Sequence, residues 1–256
     1  MSIHNTAIVS KDANIPEDAL IGPYVIINGN VDIGSGTIIG AHCVIEEFVK
    51  IGKNCQVSPG AVIGGVSQDK KFKGGKSYVE IGDNNIIREY VTINRSSKEN
   101  GKTIIGNDNL IMAYSHVAHD CVVGSNVVIA NSAAIAGHVT IEDNVVLGGL
   151  CGLHQFTRIG KFSILGGCSK AVKDIVPFAI ADGNPAKIYG LNSIGLERAG
   201  FSEEAKSVLK KAFKLLFLKK LNIGNALKKI QKDLPSTKEL TELISFIQSS
   251  ERGITK

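Results

Sequence analysis

The sequence predicts an all-β fold, a parallel β-helix of hexapeptide repeats, followed by a C-terminal α-helical domain. From Ile3 to Leu165 every sixth residue is Ile, Val or Leu, with lapses only at Asp69, Gly75 and Glu99. An α-helix needs a period of about 3.6 and a simple strand a period of about 2, so neither explains this spacing. A fixed hexapeptide repeat is typical of a parallel β-helix.

A second pattern supports the same fold. Four residues after each aliphatic position comes a small or β-branched residue, as in Ala13, Ala19, Val25, Val31, Thr37, Cys43, Val49, Cys55 and Ala61. Each hexad then forms one short strand and a turn, and three hexads form a triangular coil of about 18 residues. Residues 18 apart become neighbours roughly 4.8 Å from each other. Glycines that follow the aliphatic position, such as Gly22 and Gly34, are interpreted as corner residues with unusual backbone angles.

Two stretches interrupt the apolar count. The segments at about 64–80 and 95–103 are rich in Gly, Lys and Ser and are predicted to be loops expelled from the prism. Long loops in compact folds are usually functional or disordered. The β-helix with these loops is expected to span 1–185. Residues 186–256 are expected to form a linker and the α-helical domain.

The helical domain is predicted from capping signals and apolar spacing. Ser202 is a candidate helix cap, with Glu203 and Glu204 in the first turn. A second helix is expected over 224–233. The segment 235–239 is interpreted as a capping box that opens a third.

The charge of the chain lies in this domain. Residues 190–256 hold 13 Lys and Arg against 7 Asp and Glu, a net +6, while the whole chain carries +5. The net charge of the β-helix is therefore near −1. A basic surface attracts acidic partners, whereas the lack of interleaved aromatic residues argues against nucleic acid.

Composition excludes other classes of protein. No apolar run is long enough to span a bilayer, and the N-terminus lacks the basic-then-apolar form of a signal peptide. No stable membrane insertion and a cytoplasmic location are therefore predicted. Four of the five cysteines fall on the inward small position and are interpreted as core residues: Cys43, Cys55, Cys121 and Cys151.

Histidines concentrate where chemistry is expected. Four of the six lie between 116 and 154, namely His116, His119, His138 and His154. Adding 18 to His119 gives Gly137 and then Gln155, so these three form one predicted column. Asp120, His138 and Phe156 form the next.

The first column combines a histidine base with a glycine N–H. A general base beside an oxyanion donor suits acyl transfer. Because no Ser or Cys is evidently paired with a base, direct transfer without a covalent intermediate is favoured.

Several motifs together resemble a known family. They are Ser67-Gln68-Asp69-Lys70-Lys71-Phe72, Ile87-Arg88-Glu89 with Thr92-Ile93, His116-Val117-Ala118-His119-Asp120, Ala136-Gly137-His138, His154-Gln155-Phe156, and Gly183-Asn184 with Asn192 and Arg198-Ala199-Gly200-Phe201-Ser202. In this order they closely resemble the UDP-N-acetylglucosamine O-acyltransferases of lipid A biosynthesis, over nearly the whole chain.

The resemblance implies a left-handed β-helix that assembles as a homotrimer with active sites between subunits. The donor would be a 3-hydroxyacyl thioester of acyl carrier protein, and the acceptor the 3-hydroxyl of UDP-N-acetylglucosamine. No cofactor and no metal are implied.

The resemblance also implies residue roles. His119 would be the general base and the Gly137 N–H the oxyanion donor. Our own hypothesis, beside these, is that Asp120 orients or tunes His119. Residues implied to bind substrate are Gln68, Asp69, Lys71, His116, His138, His154, Gln155, Gly167, Asn192 and Arg198, with Gly167 at the position that controls acyl length.

Two positions depart from the family pattern. Ile194 stands where Glu is frequent, and Ala199 stands where a second Arg is frequent. These departures bear on the nucleotide contacts. They also leave open an acceptor with nitrogen at C3, which would give an amide product.

Other functions stay open at the level of sequence. One is another hexapeptide-repeat acyltransferase, such as the N-acyltransferase of the same pathway or an acetyl-CoA enzyme. Another is a zinc hydratase on the same fold, with His116 and His119 plus a neighbour's histidine as ligands. A catalytically silent scaffold is a third.

Overall fold

A computed structural model of the chain describes residues 2–256. The β-strands are Ser2–Ile3 (β1), Ile8–Val9 (β2), Leu20–Ile21 (β3), Ile26–Ile27 (β4), Asp32–Ile33 (β5), Ile38–Ile39 (β6), Val44–Ile45 (β7), Val49–Ile51 (β8), Gln56–Val57 (β9), Val62–Gly65 (β10), Tyr78–Ile81 (β11), Ile86–Ile87 (β12), Thr92–Asn94 (β13), Lys102–Ile105 (β14), Leu110–Ile111 (β15), His116–Val117 (β16), Val122–Val123 (β17), Val128–Ile129 (β18), Ala134–Ile135 (β19), Thr140–Ile141 (β20), Val146–Leu147 (β21), Gly152–Leu153 (β22), Arg158–Ile159 (β23), Ile164–Leu165 (β24), Lys170–Ala171 (β25), Ala179–Gly183 (β26) and Ala186–Leu191 (β27).

These strands form a left-handed parallel β-helix, as predicted. Sheet A has the order β1-β3-β6-β9-β12-β15-β18-β21-β24-β26-β27, sheet B the order β2-β4-β7-β10-β13-β16-β19-β22-β25, and sheet C the order β5-β8-β11-β14-β17-β20-β23. Every strand pair is parallel except β26 with β27, which is antiparallel. Each coil therefore contributes one short strand to each of the three faces.

Stacked aliphatic side chains form the core, as the hexad pattern predicts. Ile129 pairs with Ile111 below and Leu147 above, and all three are fully buried. The four cysteines at the inward small positions are buried and free, which confirms their interpretation as core residues. The inward face also carries polar side chains that are hydrogen-bonded to backbone carbonyls: Thr37 donates to Gly52, Asn85 to Gly106 and Ser115 to Ala130.

The prediction about corner glycines is wrong. The left-handed backbone angles fall two residues further along, at positions such as Asn54 (φ 53°) and Asn126 (φ 57°). Gly34 and Gly52 instead sit where successive coils approach closely. A Cβ on Gly34 would lie 2.3 Å from the carbonyl carbon of Gly52. These glycines are required by the space between coils, not by a positive φ.

The two interruptions of the hexad count lie between consecutive strands that belong to neighbouring sheets. Residues 66–77 connect β10 to β11, and residues 95–101 connect β13 to β14. Both leave the prism beside sheets B and C. As a consequence, Gln56 pairs with Ile86, 30 residues away, while uninterrupted coils keep a separation of 18.

The C-terminal region contains the helices Ser193–Arg198 (α1), Glu203–Phe213 (α2), Ile223–Asp233 (α3) and Lys238–Gln248 (α4), with a π-helical turn at Lys214–Leu218. Ser202 caps α2 through a hydrogen bond to the Ala205 N–H, as predicted. Part of the segment expected to be a linker is regular secondary structure. There, β27 forms a hairpin with β26, and α1 begins two residues after β27 ends.

The capping box expected at the start of the third helix does not form. The cap of α4 is Thr237, whose hydroxyl accepts the Leu240 N–H at 3.2 Å. Glu239 then lies in the first turn but not at the reciprocal position of a capping box. The segment after α4 returns to the β-helix, where the Thr255 N–H donates to the Asp174 carbonyl at 2.8 Å.

Candidate active site

The outer face of sheet B provides the floor of a cleft. On this face His116 is followed along the stack by Ala134, Gly152 and Lys170, each paired with the next. Ala134 and Gly152 have almost no side chain, and a Cβ built on Gly152 would meet no atom within 4 Å. The small residues therefore leave a groove immediately next to His116.

The groove opens into a cleft of about 810 Å³. Its lining includes the backbone of Gly137 and ten residues with polar side chains: Gln68, Asp69, His116, His119, His154, Gln155, Cys168, Ser169, Lys170 and Asn184. A second hollow of about 490 Å³ shares Asp69 and Gln155 with it and adds Lys71, Lys98, His138 and Phe156. The loop at 66–77 thus reaches the face of sheet B.

The predicted columns are present. The His138 N–H donates to the His119 carbonyl at 3.0 Å, and the Phe156 N–H donates to the Gly137 carbonyl at 3.2 Å. A Cβ on Gly137 would lie 2.4 Å from His119 Cε1, so the imidazole rests directly on the glycine. Among the described residues, the Gly137 N–H makes no hydrogen bond. It remains available as a donor in the cleft.

His119 is held through one ring nitrogen. Its Nδ1 lies 2.8 Å from Asp120 Oδ2, and its side chain is only 4% exposed. Within residues 2–256 its Nε2 has no hydrogen-bond partner, and this nitrogen is the one next to Gly137. The arrangement leaves Nε2 as the ring nitrogen without a protein partner in the described structure.

Asp120 is the most heavily hydrogen-bonded side chain of the site. Besides His119, its carboxylate accepts the hydroxyls of Ser96 and Ser97 and the Ser97 N–H, the last at 3.0 Å. Burial by itself would raise the pKa of Asp120. The hydrogen bonds from Ser96, Ser97 and His119 outweigh burial and hold the pKa well below its ordinary value. Asp120 is therefore ionised at neutral pH.

The other two histidines near this centre are held neutral. Burial lowers the pKa of His116, and the nearby His119 lowers it further. His116 Nδ1 lies 2.7 Å from the Thr92 hydroxyl. Burial is also the main cause that lowers the pKa of His138, which the Asp120 charge partly opposes. His138 stacks on Phe156 with ring centroids 4.5 Å apart.

His154 lines the cleft and is exposed. Its Nδ1 lies 3.3 Å from a guanidinium nitrogen of Arg252, which comes from the segment after α4. Gln155 is exposed beside it. The segment after α4 therefore contacts a residue that lines the cleft.

The structure does not bring every predicted site residue into the cleft of its own chain. Asn192 is buried and caps α1, where its side chain accepts the Gly195 N–H and donates to the Phe162 carbonyl. Arg198 is exposed at the end of α1. Gly167 lies in the turn just before Cys168 and is not part of the lining.

Sequence reasoning missed Ser96, Ser97, Lys98 and Cys168. Ser96 and Ser97 lie 24 and 23 residues before Asp120, so the interval of 18 does not connect them to it. The one available signal is their place in the second interruption of the hexad count, since long loops are often functional.

One group of three potential metal ligands occurs among the described residues. It consists of His119, Asp120 and His138, with ligand atoms within 4.8 Å of one another. The set expected for a zinc hydratase, His116 with His119, is not this group. Both Asp120 oxygens already accept hydrogen bonds, so a metal there would have to displace serine or histidine donors.

Two family models match parts of the chain. Residues 174–255 match the second domain of UDP N-acetylglucosamine O-acyltransferase. Residues 12–47, 33–65 and 102–137 match the bacterial transferase hexapeptide model of six repeats. None of the described helices has the length and apolar character that crossing a bilayer requires.

Curated relatives align with the full length of the chain. An acyl-[acyl-carrier-protein]--UDP-N-acetylglucosamine O-acyltransferase of Thermodesulfovibrio yellowstonii is 50% identical over 99% of both chains. The protein of that name from Thiobacillus denitrificans is 42% identical over 100% of this chain and 99% of its own.

Solved structures agree with this relationship. A UDP-N-acetylglucosamine acyltransferase from Bacteroides fragilis has a TM-score of 0.97 at 41% identity, covering 99% of this chain and 100% of its own. A UDP-N-acetylglucosamine O-acyltransferase from Moraxella catarrhalis has a TM-score of 0.96 at 43% identity over the whole of both chains. The likeness extends over the helices as well as the prism.

Proposed function

The chain belongs to the UDP-N-acetylglucosamine O-acyltransferase family, and from this membership we propose that it catalyses the first step of lipid A biosynthesis. The reaction moves a 3-hydroxyacyl chain from an acyl carrier protein thioester to the 3-hydroxyl of UDP-N-acetylglucosamine. The observation that carries the proposal is the free Nε2 of His119 beside the free N–H of Gly137.

The chemistry of the step follows from these two groups. His119 Nε2 takes the proton of the sugar hydroxyl as its oxygen attacks the thioester carbonyl. The new C–O bond forms while the carbonyl oxygen gains negative charge, and the Gly137 N–H donates a hydrogen bond to that oxygen. The C–S bond then breaks, and the imidazolium returns the proton to the leaving thiolate. The step needs no metal or cofactor.

The cleft provides contacts for both substrates. Asp69 and Lys71, on the loop at 66–77, are assigned to the sugar and to the pantetheine or acyl end. Residues assigned to the walls of the nucleotide-sugar and acyl cleft are Gln68, His116, His138, His154 and Gln155. Gly167, in the turn next to Cys168, is assigned to the end of the acyl path.

A homotrimer is the proposed assembly, and the outer faces of the prism support it. Sheet C presents charged and polar residues outward, including Asp32, Lys50, Glu80, Thr140 and Arg158. Sheet A presents a nearly continuous apolar column outward: Leu20, Ile38, Ile86, Leu110, Val128, Val146 and Ile164. A contiguous apolar face of this kind marks a protein interface.

The trimer also explains the two predicted residues outside the cleft. In a trimer whose three prisms pack around one axis, sheet A of one chain would face sheet B of the adjacent chain. Arg198, exposed on α1, would then reach the nucleotide phosphates in the cleft of an adjacent subunit. Asn192 would act beside it at the start of α1, where its own side chain fixes the helix.

Acyl carrier protein is the proposed acidic partner. Residues 190–256 carry the excess positive charge of the chain, which complements an acidic carrier. Because both substrates are soluble metabolites or carrier-bound thioesters, the reaction is placed in the cytoplasm.

An alternative acceptor with nitrogen at C3 has specific support. Ile194 and Ala199, the two departures from the family pattern, lie on or next to α1, and Ile194 is 66% exposed. An apolar residue at this place changes the contacts available to the nucleotide sugar. The amide product of such an acceptor resists mild alkali, whereas the ester does not.

Mass spectrometry of the products tests the proposal. The enzyme is incubated with an equimolar mixture of UDP-N-acetylglucosamine and its 3-amino analogue and with a panel of 3-hydroxyacyl thioesters of acyl carrier protein, and each product is treated with alkali. An alkali-labile mono-acylated UDP-sugar is expected. No acylated product with any donor, or an alkali-stable one, would reject the proposed acceptor chemistry. Metal analysis of the active preparation should find no stoichiometric zinc.

The base assignment has its own test. His119→Ala should stay folded and lose acyl transfer by about two to four orders of magnitude, the usual contribution of a general base. His4→Ala, which removes an exposed histidine far from the cleft, should keep normal turnover. Near-normal activity of His119→Ala would remove His119 from the mechanism.

A further inference from the structure

The two serines of the loop at 95–101 have contacts that the proposed reaction does not use. Ser96 is fully buried, and its hydroxyl donates to Asp120 Oδ1 while accepting the Lys98 N–H at 3.0 Å. Ser97 donates to Asp120 Oδ2 twice, from its hydroxyl at 2.6 Å and from its N–H at 3.0 Å. Two consecutive residues of the loop therefore donate hydrogen bonds to the carboxylate that lies next to His119.

These contacts fix the protonation of His119. An ionised carboxylate is an acceptor only and offers about four lone-pair sites. In Asp120, Oδ2 lies within hydrogen-bond distance of three donors, the Ser97 hydroxyl, the Ser97 N–H and His119 Nδ1, while Oδ1 accepts the Ser96 hydroxyl. Since a carboxylate cannot donate, Nδ1 must carry the proton. The lone pair is then on Nε2, the nitrogen that faces the cleft.

We propose that Ser96 and Ser97 are positioning residues for acyl transfer. By holding Asp120 in place and ionised, they keep the proton of the His119 imidazole on Nδ1 and its basic lone pair directed at the acceptor. The proposal rests on the proposed function, in which His119 is the general base. The geometry resembles that of a catalytic triad, in which a hydrogen-bonded Asp selects the tautomer of the histidine.

The loop has other anchors, so the serines are not needed merely to fold it. Ser77 donates its hydroxyl to the Ser96 carbonyl at 2.7 Å and is fully buried. The Arg95 N–H donates to the Gly65 carbonyl at 2.9 Å, and the Asn100 N–H donates to the Lys76 carbonyl at 2.7 Å. These bonds hold the loop through its backbone and do not involve Asp120.

Kinetics of three variants test the role. Ser96→Ala, Ser97→Ala and the double variant are compared with Ser77→Ala, which loosens the same loop without removing a hydrogen bond to Asp120. Loss of one charge-assisted hydrogen bond corresponds to a decrease in rate of about 10- to 100-fold. Each single variant should lose about that factor in kcat with little change in KM. Ser97→Thr keeps the hydroxyl and should restore most of kcat.

The pH profile separates positioning from loop stability. When the serines no longer hold Asp120 against Nδ1, the carboxylate stabilises the imidazolium less, and the acidic limb of kcat/KM should move to lower pH in the double variant. Ser77→Ala should leave that limb in place. The same displacement in Ser77→Ala would overturn the proposal, because loop anchoring alone would then explain it.

A measurement without substrate keeps this proposal separate from the proposed function. Spectra of ¹⁵N-labelled histidine rings distinguish protonation at Nδ1 from protonation at Nε2, and the His119 signals are identified by their loss in His119→Ala. The proton should lie on Nδ1 in the wild type and be shared between both nitrogens in the double variant.

The outcomes of this measurement are distinct. A wild-type proton on Nε2, or an unchanged tautomer in the double variant, would overturn the positioning role. If the tautomer responds as expected while His119→Ala retains activity, the positioning stands and the base assignment in the proposed function fails.

Discussion

Gly137 is a glycine because the imidazole of His119 occupies the volume that any side chain would need. A Cβ there would lie 2.4 Å from Cε1 and 2.6 Å from Nε2 of that ring. Since the φ angle of Gly137 lies outside the left-handed region, backbone freedom is not the reason. The requirement is steric and belongs to the site.

Gly137→Ala should therefore damage catalysis more than stability. The added methyl displaces His119 from the cleft and disturbs the oxyanion donor, whose loss typically costs about 10²–10³ in kcat. Gly190→Ala is the matched control, because a Cβ at Gly190 would meet no atom within 4 Å. Steady-state kinetics of both variants provide the comparison. Equal activities would show that the contact between glycine and ring is unimportant.

The low pKa of Asp120 makes a prediction about stability and pH. A carboxyl group whose folded pKa is depressed stabilises the folded state above its unfolded pKa, which is about 4, and loses this effect as the pH falls further. Asp120→Asn should thus lower the free energy of unfolding at pH 7, and the gap from wild type should shrink below about pH 4. Denaturant titrations of both proteins, at one protein concentration and several pH values, measure this difference in the free energy of unfolding. A gap that stays constant down to pH 3 would contradict the ionised state.

At the scale of elements, helix α4 shows how local signals are resolved by packing. Ser236 and Thr237 are both good capping residues, and the sequence pattern favours Ser236 with Glu239. The helix that forms buries Leu240, Leu243, Phe246 and Ile247 against its neighbours. That apolar face determines the helical phase, and Thr237 becomes the cap.

A pair of alanine variants tests the cap of α4. Thr237→Ala removes the hydroxyl that accepts the Leu240 N–H and should lower the free energy of unfolding by about 1 kcal/mol. Ser236→Ala should change it by only a few tenths of that amount. Thermal or denaturant unfolding of the two variants decides between the caps. A larger loss in Ser236→Ala would assign the cap to Ser236.

At the scale of the whole molecule, the outer faces of the prism differ from one another in polarity. Sheet C carries charges, whereas the outward column of sheet A is apolar from Leu20 to Ile164 except at Gln56. In a single chain this column would meet water. In the proposed trimer of 3 × 27.2 kDa, about 82 kDa, it would be covered.

Val146→Glu tests the assembly. Val146 lies outward on sheet A and is 37% exposed in the single chain, so a buried charge there should oppose association and shift the protein from trimer to monomer. Thr140→Glu places the same charge outward on sheet C and should leave the assembly intact. Light scattering after size exclusion gives the mass. A trimeric Val146→Glu, or a wild-type monomer, would reject the proposed interface.

The sequence alone determined the prism and the central pair of the site. The hexad count sets which residues point inward, and the 18-residue coil sets which stack, because between 104 and 175 no insertion disturbs the count. That regularity is sufficient to place His119 over Gly137. The family likeness then added the reaction, which spacing cannot supply.

Only the tertiary structure placed Ser96 and Ser97 on Asp120 and gave Asn192 its role as a cap. The insertions at 66–77 and 95–101 change the separation of stacked residues from 18 to 24 or 30, as Thr92 with His116 and Gln56 with Ile86 show. Repeat arithmetic fails across such loops because the path of an expelled loop depends on contacts with distant residues. Those contacts are long-range, and no local period encodes them.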